Sequence, residues 1–387
     1  MRMAWPNHLH QRWRSRLESL CIPVGALLVA LLLFGGLCAL EGYNPLAVYG
    51  AIYQAAFGSW FAWQNTLLRA APLMLSALCT VLPARLGLIV IGNEGALVLG
   101  GLFAAITGIQ LAAAPTSLGL LAMALAGVMA GGLWIMLIGA LRHFRGVNET
   151  ISSLLMNYLA IAFLSHMVEG PWRDPSSLNQ PSTFPLPDPL RLGNLPPSRV
   201  HYGLLYGLAA CAIAHLLIQR TTFGFAVRTV GGNRRAARIV GLATGKLTLA
   251  ICFLAGSCAG LAGMVEVAAI HGRANGALHA NYGYSSILVA FVAKQNPLTV
   301  VLVAILLGGI LASGSLLQRA LEMPDATVMV LQGLIFLVIL YSESLYGQIP
   351  WLQEPRLVDD DFPRVSHSPV LAPATSSPPS SRGDLSL

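Results

Sequence analysis

From Cys21 to Leu40 the chain runs twenty residues without a charge, and apolar stretches return nine more times. A helix rising about 1.5 Å per residue needs about 20 apolar residues to cross a hydrocarbon core of roughly 30 Å. The stretches lie near 21–40, 66–83, 86–111, 117–141, 150–169, 202–219, 247–270, 283–293, 298–318 and 327–343. The second carries Arg69 near one end, where a long side chain can snorkel to the interface. The eighth is short and reads as a broken or tilted helix. Charged residues make up only 10% of the chain, against about 25% in soluble domains. Such a surface is solvated largely by lipid. The pattern predicts an all-α integral membrane protein of about ten transmembrane helices.

Charge sets the orientation. With the N-terminus inside, 17 of the 23 Lys and Arg residues fall on the inner side, as the positive-inside rule requires. An even number of spans then puts both termini in the cytoplasm. The net charge of +7 is thus an orientation signal, and no nucleic-acid partner is implied. Residues 1–20 read as a cytoplasmic segment, 21–343 as the membrane domain, and 344–387 as a largely disordered cytoplasmic tail rich in Pro and Ser. The first span reads as retained, since it is longer than a signal-peptide core. Segment 170–200 holds eight prolines and reads as an extended, irregular outer loop. The six cysteines lie in apolar runs without metal-ligand spacing and read as small core- or lipid-facing residues.

Two stretches resemble each other. "PTSLGLLAMALAGVMAGG" opens at Pro115 and "PLTVVLVAILLGGILASG" opens at Pro297, 182 residues later. Glycine follows each Pro after twelve residues (Gly127, Gly309), and a small residue after sixteen (Gly131, Ser313). The two prolines fall on opposite sides of the membrane, so the halves would form an inverted repeat of five helices each. Transporters use inverted repeats to rock two halves about a midplane site. Small residues at this spacing also serve helix packing alone.

Polar residues inside the spans are the candidate site. Asn93 and Glu94 stand inside "GLIVIGNEGALVLGG", Glu94 about eight residues into its span, or roughly 12 Å deep. A central charge costs about 2.5–3.5 kcal/mol on insertion scales, so Glu94 must face a cavity or find partners. Gly92 and Gly95 flank the pair and suggest a break in the helix. Two readings stand: a carboxylate bonded to backbone freed by the break, or one lining a solute pathway. The pathway candidates are Asn93, Glu94, Asn157, Glu266 and Ser285. Asn148 and Glu149, at an inner span end, are candidates for an inner gate or a helix cap. His271 and Arg273 fall at the outer mouth. No metal cluster, nucleophile elbow or pair of catalytic carboxylates is present, so no catalytic or metal-binding residue is expected.

The inner loop 220–246 is the most basic segment. Asn233 is a good N-cap and Gly241 a good helix stop, with "RRAARIVG" between. Arg234, Arg235 and Arg238 share one side. Plain positive-inside charge and a docking helix for a cytoplasmic partner account for it equally well. "GLATGK" lacks a residue needed for a phosphate-binding Walker loop, and Leu247 replaces its metal-binding Ser/Thr. If transport here is ATP-driven, another chain hydrolyses the ATP.

Several stretches together resemble the permease subunits of bacterial ABC importers of the branched-chain amino acid/simple sugar group, closest to the nucleoside and simple-sugar branch. They are "GLIVIGNEGALVLGG", "GVNETISSLLMNYLA", "GPWRDPSS", "TTFGFAVRTVGGNRRAARIVGL", "LAGSCAGLAGMVEV" and "NYGYSSILVAFVAKQNPLTVVLVAILLGG", in family order across most of residues 60–340. The resemblance implies a ten-helix permease in the bacterial cytoplasmic membrane, a cytoplasmic ATPase that carries ATP and Mg, and no cofactor in this chain. It also implies a second homologous permease and an extracytoplasmic binding protein or lipoprotein. Arg228, Asn233, Arg234, Arg235, Ala237, Arg238 and Gly241 would form the ATPase-coupling region. The chain departs from the family pattern F-N-I-G-A-E-G-Q: Val90 stands for the usual Asn, Ala96 for the usual Gln, and an Asn is added at 93. The rival expectations are an ion-coupled secondary transporter, in which Glu94 would titrate, and an integral membrane enzyme.

Overall fold

The computed structural model describes residues 25–177, 180–324 and 326–343. The expected segments 1–20 and 344–387, and Cys21, lie outside these. The described residues are helical apart from loops and two isolated β-bridges. The helices are α1 (Gly25–Leu40), α2 (Pro45–Phe57), α3 (Trp60–Ala84), α4 (Asn93–Gln110), α5 (Thr116–Arg145) and α6 (Glu149–Glu169). They continue with α7 (Gly203–Arg220), α8 (Thr222–Gly232), α9 (Arg234–Ile239), α10 (Thr244–Val265), α11 (Tyr282–Val292), α12 (Pro297–Leu321) and α13 (Ala326–Glu343). Six of them are long and apolar enough to cross a membrane, or seven if α1 and α2, bent by 118°, form one span.

Local chemistry marks the boundaries. Asn44, Ser59, Asn148, Thr221, Asn233 and Asn296 each accept backbone N–H bonds at a helix start, which satisfies donors that a helix leaves free. Pro45 and Pro297 follow two of these caps, where a missing N–H costs nothing. Gly146 closes α5 in the left-handed region at φ 69°.

Helix α2 falls between the first two apolar stretches, and Asn44–Pro45 starts it. Two sequence expectations need correction. Residues 86–92 are not helical: α4 begins only at Asn93. Loop 220–246 holds α8 as well as α9. Apolar content marked 86–92 as helix, and it does not distinguish a helix from a satisfied break.

α3 and α10 are the central elements. Within their apolar windows 78% and 67% of residues are buried, against 33% for α5 and 28% for α7. Helix α5 shows the division residue by residue. Gly119, Met123, Gly127, Gly131, Ile135 and Ile138 are buried, while Leu118, Leu121, Leu125, Met129, Leu133 and Leu137 are exposed. The second set forms an apolar stripe suited to lipid.

Small residues bring the backbones together. A Cβ on Gly260 would strike the Gly127 carbonyl of α5, and one on Gly100 of α4 would strike Gly260 itself. α4, α5 and α10 therefore meet at near backbone contact, the device that replaces the hydrophobic effect between helices in lipid. The packing has a paired pattern. α5 lies on α10 as α12 lies on α3, and α4 lies on α10 as α11 lies on α3. Likewise α4 touches α5 and α6 as α11 touches α12 and α13.

The segment between α6 and α7 is irregular, as its prolines predict, but it is pinned. Thr183, Leu186 and Leu192 donate backbone bonds to Ala274, Gly272 and Ala268, and Leu186, Leu190 and Leu192 are buried. Gly260→Leu should abolish folded protein, since overpacking costs about 1–3 kcal/mol or more at a site that cannot relax. Gly36→Leu, with open space around its Cα, should leave yield and melting temperature unchanged. Size-exclusion profiles and thermal melts in detergent read both.

Candidate functional site

Two apolar segments are interrupted, and the interruptions meet. The first break, residues 85–92, separates α3 from α4. Its backbone groups are satisfied by side chains from two helices, as a non-helical stretch within a membrane bundle requires. The Val90 carbonyl accepts from Thr80 Oγ1 at 3.2 Å, and the Ile89 carbonyl from Thr150 Oγ1 at 2.9 Å. The Ile91 N–H donates to Ser153 Oγ at 3.0 Å. Asn157 binds both sides of the break: its Nδ2 donates to the Ile91 carbonyl at 2.7 Å, and its Oδ1 accepts from the Gly95 N–H at 2.8 Å.

The second break, residues 272–281, precedes α11. Asn281 stands at the N-cap with φ 60° and no side-chain cap of its own. Glu94 supplies the cap from α4. Its Oε2 accepts from the Gly283 N–H at 2.5 Å, and its Oε1 accepts from the Asn281 N–H at 3.1 Å. His279 Nδ1 lies 3.0 Å from the same Oε1. Glu94 also sits in the first turn of α4. One carboxylate therefore stands at two helix N-termini, where the helix dipoles favour negative charge. A Cβ on Gly283 would collide with the Glu94 backbone, so this approach needs glycine.

Asn93 makes the adjacent link. The two N–H groups of its Nδ2 are shared among the Ser76 carbonyl, Thr80 Oγ1 and Ser286 Oγ, each 2.9–3.0 Å away. Ser76 and Ser286 hydroxyls lie 2.9 Å apart. Asn93, Glu94 and Asn157 are fully buried. Val90 and Ala96, the departures from the family pattern, are buried too.

The other candidates lie apart. Ser285 Oγ donates to Gln332 Oε1 at 3.0 Å, and both line a cavity of about 350 Å³ with Ile91, Tyr284, Met329 and Phe336. Glu266 lies just before the second break, in a six-residue π-turn that ends α10. At the start of α6, Asn148 rather than Glu149 caps the helix, and Glu149 pairs with Arg142 Nε at 3.1 Å. His279, Asn281, Gly283, Ser286, Ser76 and Thr80 were not among the sequence candidates. Ser and Thr are common in membrane helices, and nothing local distinguishes these from the rest.

Asn233 caps α9 by accepting from the Arg235 and Ala236 N–H groups at 3.0 Å. Ala237 is buried, while Arg234, Arg235 and Arg238 are exposed. Ile239 and Val240 are 86% and 78% exposed, an apolar tip beside the arginines. Gly241 follows at φ 85°. Arg228 Nη1 donates to Gln219 Oε1 at 2.8 Å. Helix α8 reaches the first break, since a Cβ on its Gly231 would strike the Arg85 carbonyl. Arg85 Nη2 in turn donates to the Gln295 carbonyl in the α11–α12 turn at 2.6 Å. Burial, and then the charge of Arg228, lowers the Arg85 pKa from its ordinary value.

A helical membrane bundle with a buried polar joint between two broken segments, and a capped basic helix at one end, is the architecture of a transport subunit rather than of a membrane anchor. Residues 62–340 match the family of branched-chain amino acid transport system permease components, and the chain belongs to that family. It is 31% identical to a glucose ABC transporter permease of Haloferax volcanii, over 83% of this chain and 87% of that one. It is 28% identical to a guanosine ABC transporter permease of Bacillus subtilis, over 86% and 95%. A nucleoside ABC transporter permease of Lactococcus lactis is 23% identical over 76% and 83%.

Both Glu94 oxygens accept bonds, so Glu94→Gln would set an amide N–H₂ against a backbone donor. An unsatisfied buried donor costs about 1–3 kcal/mol. Solute uptake by cells carrying Glu94→Gln should fall about tenfold or more at equal membrane abundance, and Glu94→Ala should fall further.

Proposed function

We propose that this chain is a permease half of an ATP-binding-cassette importer that carries a nucleoside or simple sugar inward by alternating access. The observation that carries the reading is the Glu94 joint, which ties the two broken segments α4 and α11 together at their N-termini. In this reading the membrane holds ten segments: α1, α3, α4, α5, α6, α7, α10, α11, α12 and α13. The first half of the repeat runs through α6 and the second from α7. The reciprocal packing of α3, α4, α5 and α6 with α10, α11, α12 and α13 supports an inverted repeat whose two discontinuous helices meet near its centre.

Both termini and the α8–α9 end face the cytoplasm, consistent with the six cationic residues of loop 220–246. A separate ATPase docks on α9, with its exposed arginines around the apolar tip of Ile239 and Val240. Its closure passes through α8 to Arg85, and from there to the first break and the α11–α12 turn. Solute moves along the cavity of Ser285 and Gln332, with Asn148 and Glu149 at the inner gate. Asn93, Glu94 and Asn157 hold the joint that shapes this path. A second homologous permease completes the translocation path, and an extracytoplasmic binding protein delivers solute to the face carrying segment 170–200. The relatives' names, which give glucose, guanosine and nucleosides as their solutes, support this solute class.

The complete transporter in proteoliposomes should take up D-glucose or guanosine only with ATP. Gradient-driven uptake by the permease without the ATPase would overturn the reading. Ile239→Asp should remove the ATPase on co-purification and lower uptake about tenfold or more, since apolar anchors at an interface centre are worth about 2 kcal/mol or more. The permease itself should reach the membrane at normal abundance.

A further inference from the structure

A second cavity, of about 540 Å³, borders the segment that precedes α11 and shares Ala280 with the Ser285 cavity. Its polar lining is Asn65 and Arg69 of α3, Glu266 and His271 of the π-turn, Tyr282 of α11 and Ser315 of α12. Glu266 is only 2% exposed, yet its Oε1 has no hydrogen-bond partner. Its Oε2 lies 3.5 Å from His271 Nε2. A buried carboxylate oxygen left without a donor is costly, and native structures retain such groups rarely and for a reason.

The backbone explains how the two side chains come together. Glu266 and His271 are five residues apart. In an α-helix that spacing points them well away from each other, whereas the wider π-turn, with its i to i+5 bonds, stacks them. π-turns of this kind concentrate at functional sites. Arg69 lies in the same cavity, against the Tyr282 phenol. The chamber thus offers an anionic acceptor and a cationic donor, and its volume falls in the range of small-molecule sites, about 300–1,000 Å³. Opposite fixed charges favour a neutral solute with both hydroxyl donors and oxygen acceptors over a free ion.

We propose that this chamber is a solute-binding site in which Glu266 Oε1 accepts from a ring hydroxyl and Arg69 donates to an oxygen of the same molecule. The ligand is an uncharged, hydroxyl-bearing ring, whether a free hexose or the ribose of a nucleoside. The site would hold solute on the binding-protein side of the joint before it reaches the Ser285 cavity. This inference rests on the permease reading above.

The test uses the complete transporter in proteoliposomes, with Ser315→Cys as a reporter in the chamber wall. A membrane-impermeant thiol reagent added outside should modify this cysteine, and D-glucose or guanosine should slow the modification. Protection by guanosine alone assigns the ribose ring, and protection by glucose alone assigns the hexose. Adding Glu266→Ala should raise the half-protecting solute concentration about tenfold or more, the loss expected for one charge-assisted hydrogen bond. Glu266→Gln, which keeps one acceptor, should shift it less. ATPase activity of the assembled variants separates this effect from misfolding. Equal modification rates with and without both solutes, in transporters that still take them up, would overturn the chamber and leave the permease reading intact. Failure of the unmodified transporter to take up either solute would overturn both.

Discussion

The Glu94 carboxylate is the interaction on which the other parts depend. It sits at the start of α4 and caps the start of α11. Two interrupted helices would each present free N–H groups within the bundle, and lipid offers those groups no partner. Glu94 accepts both N–H bonds at the start of α11, Asn157 accepts that of Gly95 in α4, and both helix dipoles favour the carboxylate. Without this carboxylate the Asn281 and Gly283 N–H groups would lose their acceptor inside the bundle. The cavities on either side of the 277–282 segment would then lose their common wall.

Around that joint, the glycines of α4, α5 and α10 set the spacing. Gly100, Gly127 and Gly260 let three backbones approach closely, and Gly95, whose Cβ would meet Asn157, lets α6 lie against the first break. The joint is also wired to one end of the bundle. Arg85 touches α8 through its backbone and the α11–α12 turn through its guanidinium. A displacement of α9 has a short, packed route to both broken segments, and that route does not pass through the lipid-facing stripe of α5.

The departures from the family pattern gain a physical account at one position. Asn93, the added amide, joins Ser76, Thr80 and Ser286 in one buried network. It therefore ties α3, α4 and α11 together. Val90 and Ala96, where the pattern has Asn and Gln, are buried apolar side chains and offer no side-chain hydrogen bond.

By itself the sequence determined that the chain is helical and apolar, where most helices begin, and that Asn233 caps a short basic helix. These follow from run length, cap residues and charge, all local properties. It also singled out Asn93, Glu94 and Asn157, because a polar side chain in an apolar run must find a partner. Only the tertiary structure decided which partner. Gly283 lies 189 residues from Glu94 in the chain, and its neighbours Asn281 and Ser286 look ordinary in sequence. Residues 86–92 read as part of a helix because they are apolar, yet they are not helical, since Thr80, Thr150, Ser153 and Asn157 satisfy their backbone from the flanking helices. A helix and a break satisfied from outside can share the same composition, so only the position of distant side chains tells them apart.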